Sequence, residues 1–240
     1  MREFKADLHI HTCLSPCADL EMSPRQIVSA AKRRGLDVIG ICDHNSAENV
    51  PAVARNAARE GITVIGGMEV TSREEVHILA LFDKDDDLFS LQEIVYEHLH
   101  GTNDEKLYGE QVIVNEEEEI IGFSNRLLIG ATELTTERLV DLIHERDGLA
   151  IAAHVDREGF GIIGQLGFIP EGLPLDALEL ADPTKRAHIP LKNRLPFITS
   201  SDAHKLEDVG RRTTTFLMKT VTLQELRRCL SGEEGRIVRI

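Results

Sequence analysis

Residues 4–12 read FKADLHIHT, with His9 and His11 separated by a single residue. The stretch Phe4–Ile10 reads as a strand, and in a strand residues i and i+2 point the same way. Both imidazoles can therefore reach one ion. The rest of the chain repeats this arrangement. A strand expected at Val38–Cys42 runs into Asp43-His44. One at Thr63–Ile65 is followed by Glu69, and one at Val76–Phe82 carries His77. Leu149–Ala153 leads to His154, and Phe197–Thr199 to Asp202-Ala203-His204, where a one-residue spacing recurs. Six of the ten histidines thus lie on or just after a strand. His98, His100, His144 and His188 lack that placement and read as helix or loop surface.

Amphipathic helices fall between these strands. Ser23-Pro24 opens one and Gly35 closes it, with serine as cap and proline in the first turn. Others are expected at Ala47–Glu60, Leu88–Leu99, Glu137–Arg146 behind a Thr136 cap, and Leu223–Leu230. Further strands are expected at Ala177–Leu180 and Thr214–Met218, the latter as the last barrel strand. Strand-then-helix order implies a mostly parallel sheet, and about seven such strands fit a closed or distorted α/β barrel. In such a barrel the carboxyl ends of the strands converge on one face, so residues distant in sequence meet there. Imidazole and carboxylate together suit zinc, manganese or iron.

The chain has 240 residues and reads as one domain over 1–240, with an acidic insertion at 83–130. Net charge is −14, and residues 83–119 hold thirteen acids against two lysines. Gln111–Val114 and Ile120–Phe123 flank an NEEEE turn as an exposed hairpin within it. The negative balance, the absence of tryptophan and an aromatic content of 4% weigh against long nucleic acid as a partner. There is no membrane-length apolar run and no leader-like start, so the expectation is a soluble cytoplasmic protein. Four cysteines without a C-x-x-C pair read as reduced thiols.

The successive motifs DLHIHT (7–12), ICDHN (41–45), GGMEVTS (66–72) with HILAL (77–81), AAHVDR (152–157) and SSDAHK (200–205) resemble those of the polymerase and histidinol phosphatase (PHP) family. The resemblance implies a distorted (β/α)7 barrel and a site for two to three divalent metal ions, zinc, manganese or iron. Carried over motif by motif, His9, His11, Glu69 and Asp202 hold one ion; Glu69 bridges to a second shared with His77 and His154; His44, His204 and a residue of the loop after the first strand hold a third. Family members often carry Ser-Asp-Gly or a histidine in that loop, where this chain has Ser15-Pro16-Cys17-Ala18-Asp19. Alignment on the helix start at Ser23-Pro24 selects Asp19, with Cys17 as the alternative because thiolates bind zinc well.

The implied activity is hydrolysis of a phosphate ester, a small phosphorylated metabolite or nucleotide, by a metal-activated hydroxide. Glu69, Asp202 and His154 would be its catalytic metal holders. Arg157 is placed to hold a non-bridging phosphate oxygen, or else is a surface loop arginine; Arg186 and Arg194 are further candidates. Two other enzyme readings are a nuclease or phosphodiesterase on short nucleic acid and an amidohydrolase. The second also begins with His-x-His but relies on a bridging lysine, and no lysine lies at a matching strand end here. The remaining alternative is a non-catalytic module with a relic site.

Overall fold

The computed structural model describes residues 1–189 and 195–240, so the candidate Arg194 lies outside the described residues. The opening strand is β1 (Arg2–Ile10), followed by α1 (Pro24–Arg33), β2 (Val38–Ile41), α2 (Val50–Arg59), β3 (Thr63–Thr71) and β4 (His77–Phe82). The acidic region contains α3 (Asp85–His98), α4 (Glu105–Tyr108), β5 (Val112–Val114) and β6 (Ile120–Phe123). Then come α5 (Thr136–His144), β7 (Leu149–Ala152), α6 (Ile162–Leu166), β8 (Ala177–Glu179), β9 (Phe197–Ile198), β10 (Thr214–Met218), α7 (Leu223–Ser231) and β11 (Ile237–Arg239).

Nine strands form one sheet in the order β11-β10-β1-β2-β3-β4-β7-β8-β9. The seven from β1 to β9 are the barrel staves. Just past β9, Ala203 returns to β1: His11 N donates to Ala203 O at 3.0 Å and Ala203 N to His9 O at 3.3 Å. That bridge draws the two ends of the seven-stranded run together where the histidines lie.

The sheet is mixed, not mostly parallel. β1, β2 and β3 are parallel, as are β7, β8 and β9, but β4 runs antiparallel to both its neighbours. The cause is the connection. Only residues 72–76 separate β3 from β4, with Glu75 at φ 58°, and a parallel neighbour would need a crossover of a dozen residues. Thr214–Met218 is likewise not a parallel closing stave: β10 pairs antiparallel with the first half of β1, with β11 on its outer edge. α2 begins at Val50, three residues after the expected start.

Two hydrophobic clusters divide the strands by face. One takes Ala6, Leu8, Ile65, Leu79, Leu81, Leu149, Ile151, Ala177 and Ile198, with α7 as its only helix, and is the barrel interior. The other takes Ile10, Ile39, Met68, Val70, Ile78, Ala80 and Leu178, and covers them with α1, α2, α3 and α5. Strand alternation then dictates what the interior becomes near its open end. Ile65 and Gly67 lead to Glu69, Leu81 and Leu79 to His77, and Ala177 to Glu179. On β1 the register against β2 shifts between Asp7 and Ile10. Such a bulge turns a strand's faces over: Leu8 lies inside, Ile10 outside, and His9 and His11 therefore point inward.

The acidic region is not uniform. Leu88, Leu91 and Val95 put α3 into the outer helical layer. The β5–β6 hairpin instead packs on the loops at the open end. Val112 and Val114 are buried against Cys13, while Ile120, Ile121 and Phe123 of β6 are exposed. Asn49 Nδ2 donates to Val112 O at 3.0 Å, and Val114 N to Asn49 Oδ1 at 3.0 Å. Ser23 occupies the cap position of α1 without capping it. Its hydroxyl donates to Glu118 Oε1 at 2.5 Å, and that same oxygen accepts from Arg25 N at 3.2 Å, so the hairpin's carboxylate serves as the cap. For α5 the cap is Thr135, which accepts from Arg138 N at 3.1 Å; the Thr136 hydroxyl donates to Glu74.

Candidate metal centre

The polar end of the interior is a buried cage of imidazoles and carboxylates. Glu69 sits at its centre, inside β3 rather than after it. Its Oε1 lies 2.8 Å from His77 Nδ1, 3.0 Å from His154 Nε2 and 3.4 Å from His9 Nε2. Its Oε2 lies 3.1 Å from His44 Nδ1 and 3.4 Å from His11 Nε2. One carboxylate thus faces five histidines. Asp202 closes the opposite side, with Oδ1 at 3.2 Å from His9 Nε2 and 3.1 Å from His11 Nε2. Arg157 donates to its other oxygen at 2.5 Å from a half-exposed position at the rim.

Three overlapping sets have ligand atoms mutually within 4.8 Å: His9, His11, Glu69 and Asp202; His44, Glu69 and His77; and His11, His44 and His204. His154 contacts Glu69 without completing a set. Asp19 is exposed and belongs to no set, although its backbone N donates to His204 O at 2.9 Å. The histidines read as ordinary surface groups stay outside: His98 bonds Ile94 O, His100 pairs with Glu133, His144 with Asp176, and His188 is exposed.

Glu179 is the residue the sequence reading passed over. It ends β8 fully buried, taking His9 Nδ1 at 3.0 Å and His154 N at 3.2 Å on one oxygen. A carboxylate there fixes which ring nitrogen of His9 is left to face the cage. A single glutamate inside the apolar run ALEL was its signal. Two other buried acids hold the frame. Asp7 accepts from Ser201 N, Ser201 Oγ and Gly210 N; Asp43 accepts from Thr12 N, Thr12 Oγ1 and Ser15 Oγ. Burial pushes the Asp7 carboxyl up to about 6. His154 and Asp202 have positive φ, 29° and 52°, a conformation that non-glycine residues adopt at a cost and that clusters at functional sites.

Protons alone explain this cage poorly. His9 Nε2 and His11 Nε2 face each other at 3.1 Å while both face carboxylates. His154 Nδ1 and Glu179 Oε1 are buried without a hydrogen-bond partner. Divalent cations at the convergence points of the three sets would relieve the facing His9 and His11 nitrogens, and buried carboxylates need such charge. The electrostatics agree. Burial lowers His11 and His44, but Asp202 and Glu69 at His11, and Glu69 at His44, outweigh it and push both up to about 9. Burial, with the neighbouring His44 and His154, outweighs Glu69 and takes His77 down to about 4. Glu69 is held well below the carboxylate range, because the charges of His77, His9 and His44 exceed its burial cost.

A pH dependence follows. In the metal-free protein His11 and His44 carry protons up to about pH 9, and an ion must displace them. Metal affinity should therefore rise with pH from 6.5 to about 9 and level off above. Calorimetric titration across that range would show it; an affinity independent of pH would refute the assignment.

Comparison with known proteins agrees with the cage. Residues 7–166 match the PHP domain family, and residues 191–232 match the PHP-associated family. A 5'-3' exoribonuclease of Haemophilus influenzae is 34% identical over 84 residues, 33% of this chain and 30% of the relative. A phosphoribosyl 1,2-cyclic phosphate 1,2-diphosphodiesterase of Eggerthella lenta is 30% identical over 80 residues, 31% of this chain and 29% of the relative. Among solved structures, the lesion-specific endonuclease Q of Pyrococcus furiosus superposes with a TM-score of 0.72 at 22% identity, covering 99% of this chain and 58% of that one. Endonuclease Q is also solved with a 27-mer duplex bearing an abasic lesion, at TM-score 0.72, 23% identity and coverages of 98% and 58%. The chain thus spans under a third of these two curated relatives and somewhat over half of endonuclease Q. No helix among the described residues is long and apolar enough to cross a membrane. The first family match takes in well over half of the chain, with His9, His11, His44, Glu69, His77 and His154 all inside it, and so this protein belongs to the PHP domain family.

Proposed function

We propose that this chain hydrolyses a phosphate ester, a small phosphorylated metabolite or a nucleotide, with two to three zinc, manganese or iron ions in the barrel mouth, and that it works in the cytoplasm. The observation that carries this reading is the three overlapping ligand sets around Glu69. When bound, the ions supply a water of lowered pKa and neutralise phosphate oxygens, which lets a chain of net charge −14 accept an anion. The protein's own part is to hold and orient. Glu69 joins two sets, His9 is aimed by Glu179, and Asp202 is aimed by Arg157. Phe160 stacks on His77 with ring centroids 4.5 Å apart and shields it from solvent. Arg157, half-exposed at the rim, is the group to meet a non-bridging oxygen.

A nuclease activity is the second reading. It is favoured by the Haemophilus exoribonuclease and by endonuclease Q, whose fold extends over nearly this whole chain. The charge argument against long nucleic acid is weakened by where the acids lie. Residues 83–119, with thirteen acids against two lysines, account for −11 of the net −14, so the sum over the chain says little about the barrel mouth. The test is a substrate panel offered to protein loaded with each metal in turn: aryl phosphate mono- and diesters, nucleotides, short oligonucleotides and a duplex with an abasic site. No turnover of any of them by metal-replete protein would refute the phosphoesterase reading. On the best substrate Arg157→Ala should raise KM about 10-fold with a smaller loss of kcat, the pattern of lost ground-state binding. An unchanged KM would return Arg157 to the role of a surface residue holding Asp202.

A further inference from the structure

The loop between β7 and α6, residues 153–161, sets three side chains around the cage. His154 faces Glu69, Arg157 reaches Asp202, and Phe160 stacks on His77. Main chain holds the last of these in place. Phe160 O accepts from His77 N at 2.9 Å, so the aromatic residue and the histidine it covers are locked in register. Arg157 N donates to His154 O at 2.9 Å, and the loop then folds back closely on itself. A Cβ at Gly161 would lie 2.6 Å from Arg157 O and 2.9 Å from His154 O.

Phe160 has φ 60°, a left-handed conformation that a bulky side chain adopts only at a cost. Glycine would take the same turn freely. The residues on either side, Gly159 and Gly161, are glycines, yet the left-handed position between them carries an aromatic ring. The strain is thus borne in order to keep a ring here. One face of that ring lies on His77, with an interplanar angle of 21°. Covering the histidine uses that face alone, and Phe160 remains 43% exposed. Tyr108, Phe123 and Phe168 are exposed too, but among the described residues only Phe160 lies on a cage histidine.

We infer that the outer face of Phe160 is a stacking platform for a planar ring that the substrate carries beside its phosphate, of which a nucleobase is the chemical type. The inference rests on the phosphate-ester reading proposed above and narrows it. Arg157 stands at the Asp202 side of the cage and Phe160 at the His77 side, so an ester without a ring forgoes one of two contacts made by the same loop. Every base has a π-face, so a lone platform separates nucleotides from sugar phosphates without choosing among bases.

The probes are adenosine 5′-monophosphate and ribose 5-phosphate, which differ in the base alone. Their affinity for the metal-loaded full chain is measured by calorimetry, and as KM where either is turned over. The wild type should bind the nucleotide at least about 10-fold more tightly than the sugar phosphate. Phe160→Leu keeps an apolar cover on His77 but has no flat face. It should bring the nucleotide to the level of the sugar phosphate, with affinity for the sugar phosphate and metal content unchanged. Phe160→Tyr, which keeps the face, should keep the preference, and its comparison with the wild type stands whatever Phe160→Leu does to the metals. A wild type that binds both probes alike, or a Phe160→Leu variant that weakens both equally, overturns the platform and leaves the ring as packing for His77. Turnover of esters with no preference for a ring overturns the platform alone. Metal-replete protein that binds neither probe and turns over no ester overturns the phosphoesterase reading with it.

Discussion

Glu69→Gln is expected to lower kcat/KM at least about 100-fold while leaving the fold intact. The carboxylate is the only group belonging to both of the deeper ligand sets, and its two oxygens lie within 3.4 Å of five imidazoles. Glutamine matches it in size. It loses the negative charge and presents an amide NH2 to nitrogens that are arranged around an anion. Two cations that shared a ligand would then repel each other across a neutral group in a site almost closed to water, where Coulomb terms are large. Metal content should fall by at least one ion per chain, and circular dichroism should be unchanged. Full metal occupancy together with wild-type turnover would show that Glu69 is not the bridge.

The second large effect is on stability. Gly40, in the middle of β2, lies against the backbone of Leu8 on β1, and a Cβ built there would overlap the Leu8 carbonyl. The clash is with main chain, so no rotamer change relieves it. Gly40→Ala must push apart the two parallel strands whose ends carry His9, His11 and His44. The expected cost is about 3 kcal/mol, at the upper end for overpacking a core. For a domain of this size that is a fall in Tm of roughly 6–12 °C. Thermal unfolding of metal-free protein measures it without the contribution of bound ions. A Tm within about 2 °C of wild type would mean that β1 and β2 separate easily, and the barrel seam would be softer than its packing indicates.

The strand ends were legible because polar residues interrupt apolar runs there, and the one-residue spacing of His9 and His11 carried its geometry with it. Glu69 is legible although the expected strand stops at Ile65, six residues short of its end at Thr71: the glycines at 66 and 67 look like a turn but lie in a paired strand. Glu179 was missed because its evidence is tertiary. Only the return of β8 beside β7 brings the lone acid of ALEL to His154 N and His9 Nδ1. The reversed direction of β4 was implicit in the short link at 72–76, yet the expectation of alternating helices overrode it. Ser23 failed as a cap for a similar reason. A better-placed carboxylate arrives from residue 118, and local sequence cannot register a competitor 95 positions away. At the rim, chain spacing selects Asp19; the structure holds its backbone N on His204 O and leaves its side chain exposed and in no ligand set, a placement that spacing alone does not register.

The hairpin that supplies Glu118 constrains how this chain can be shortened. A designer seeking a minimal barrel would excise 109–125 first, since its sequence matches no motif and its outer strand touches little. Excision would remove the carboxylate from the start of α1 and the partners of the Asn49 amide, and would uncover Cys13. Each lies a few residues from the loop after β1 or from His44, so the damage would reach the rim of the site. The peripheral hairpin is scaffolding for the mouth, and a reduced version would need a new cap for α1 and a new neighbour for Asn49 before the loop between β1 and α1 could keep its shape.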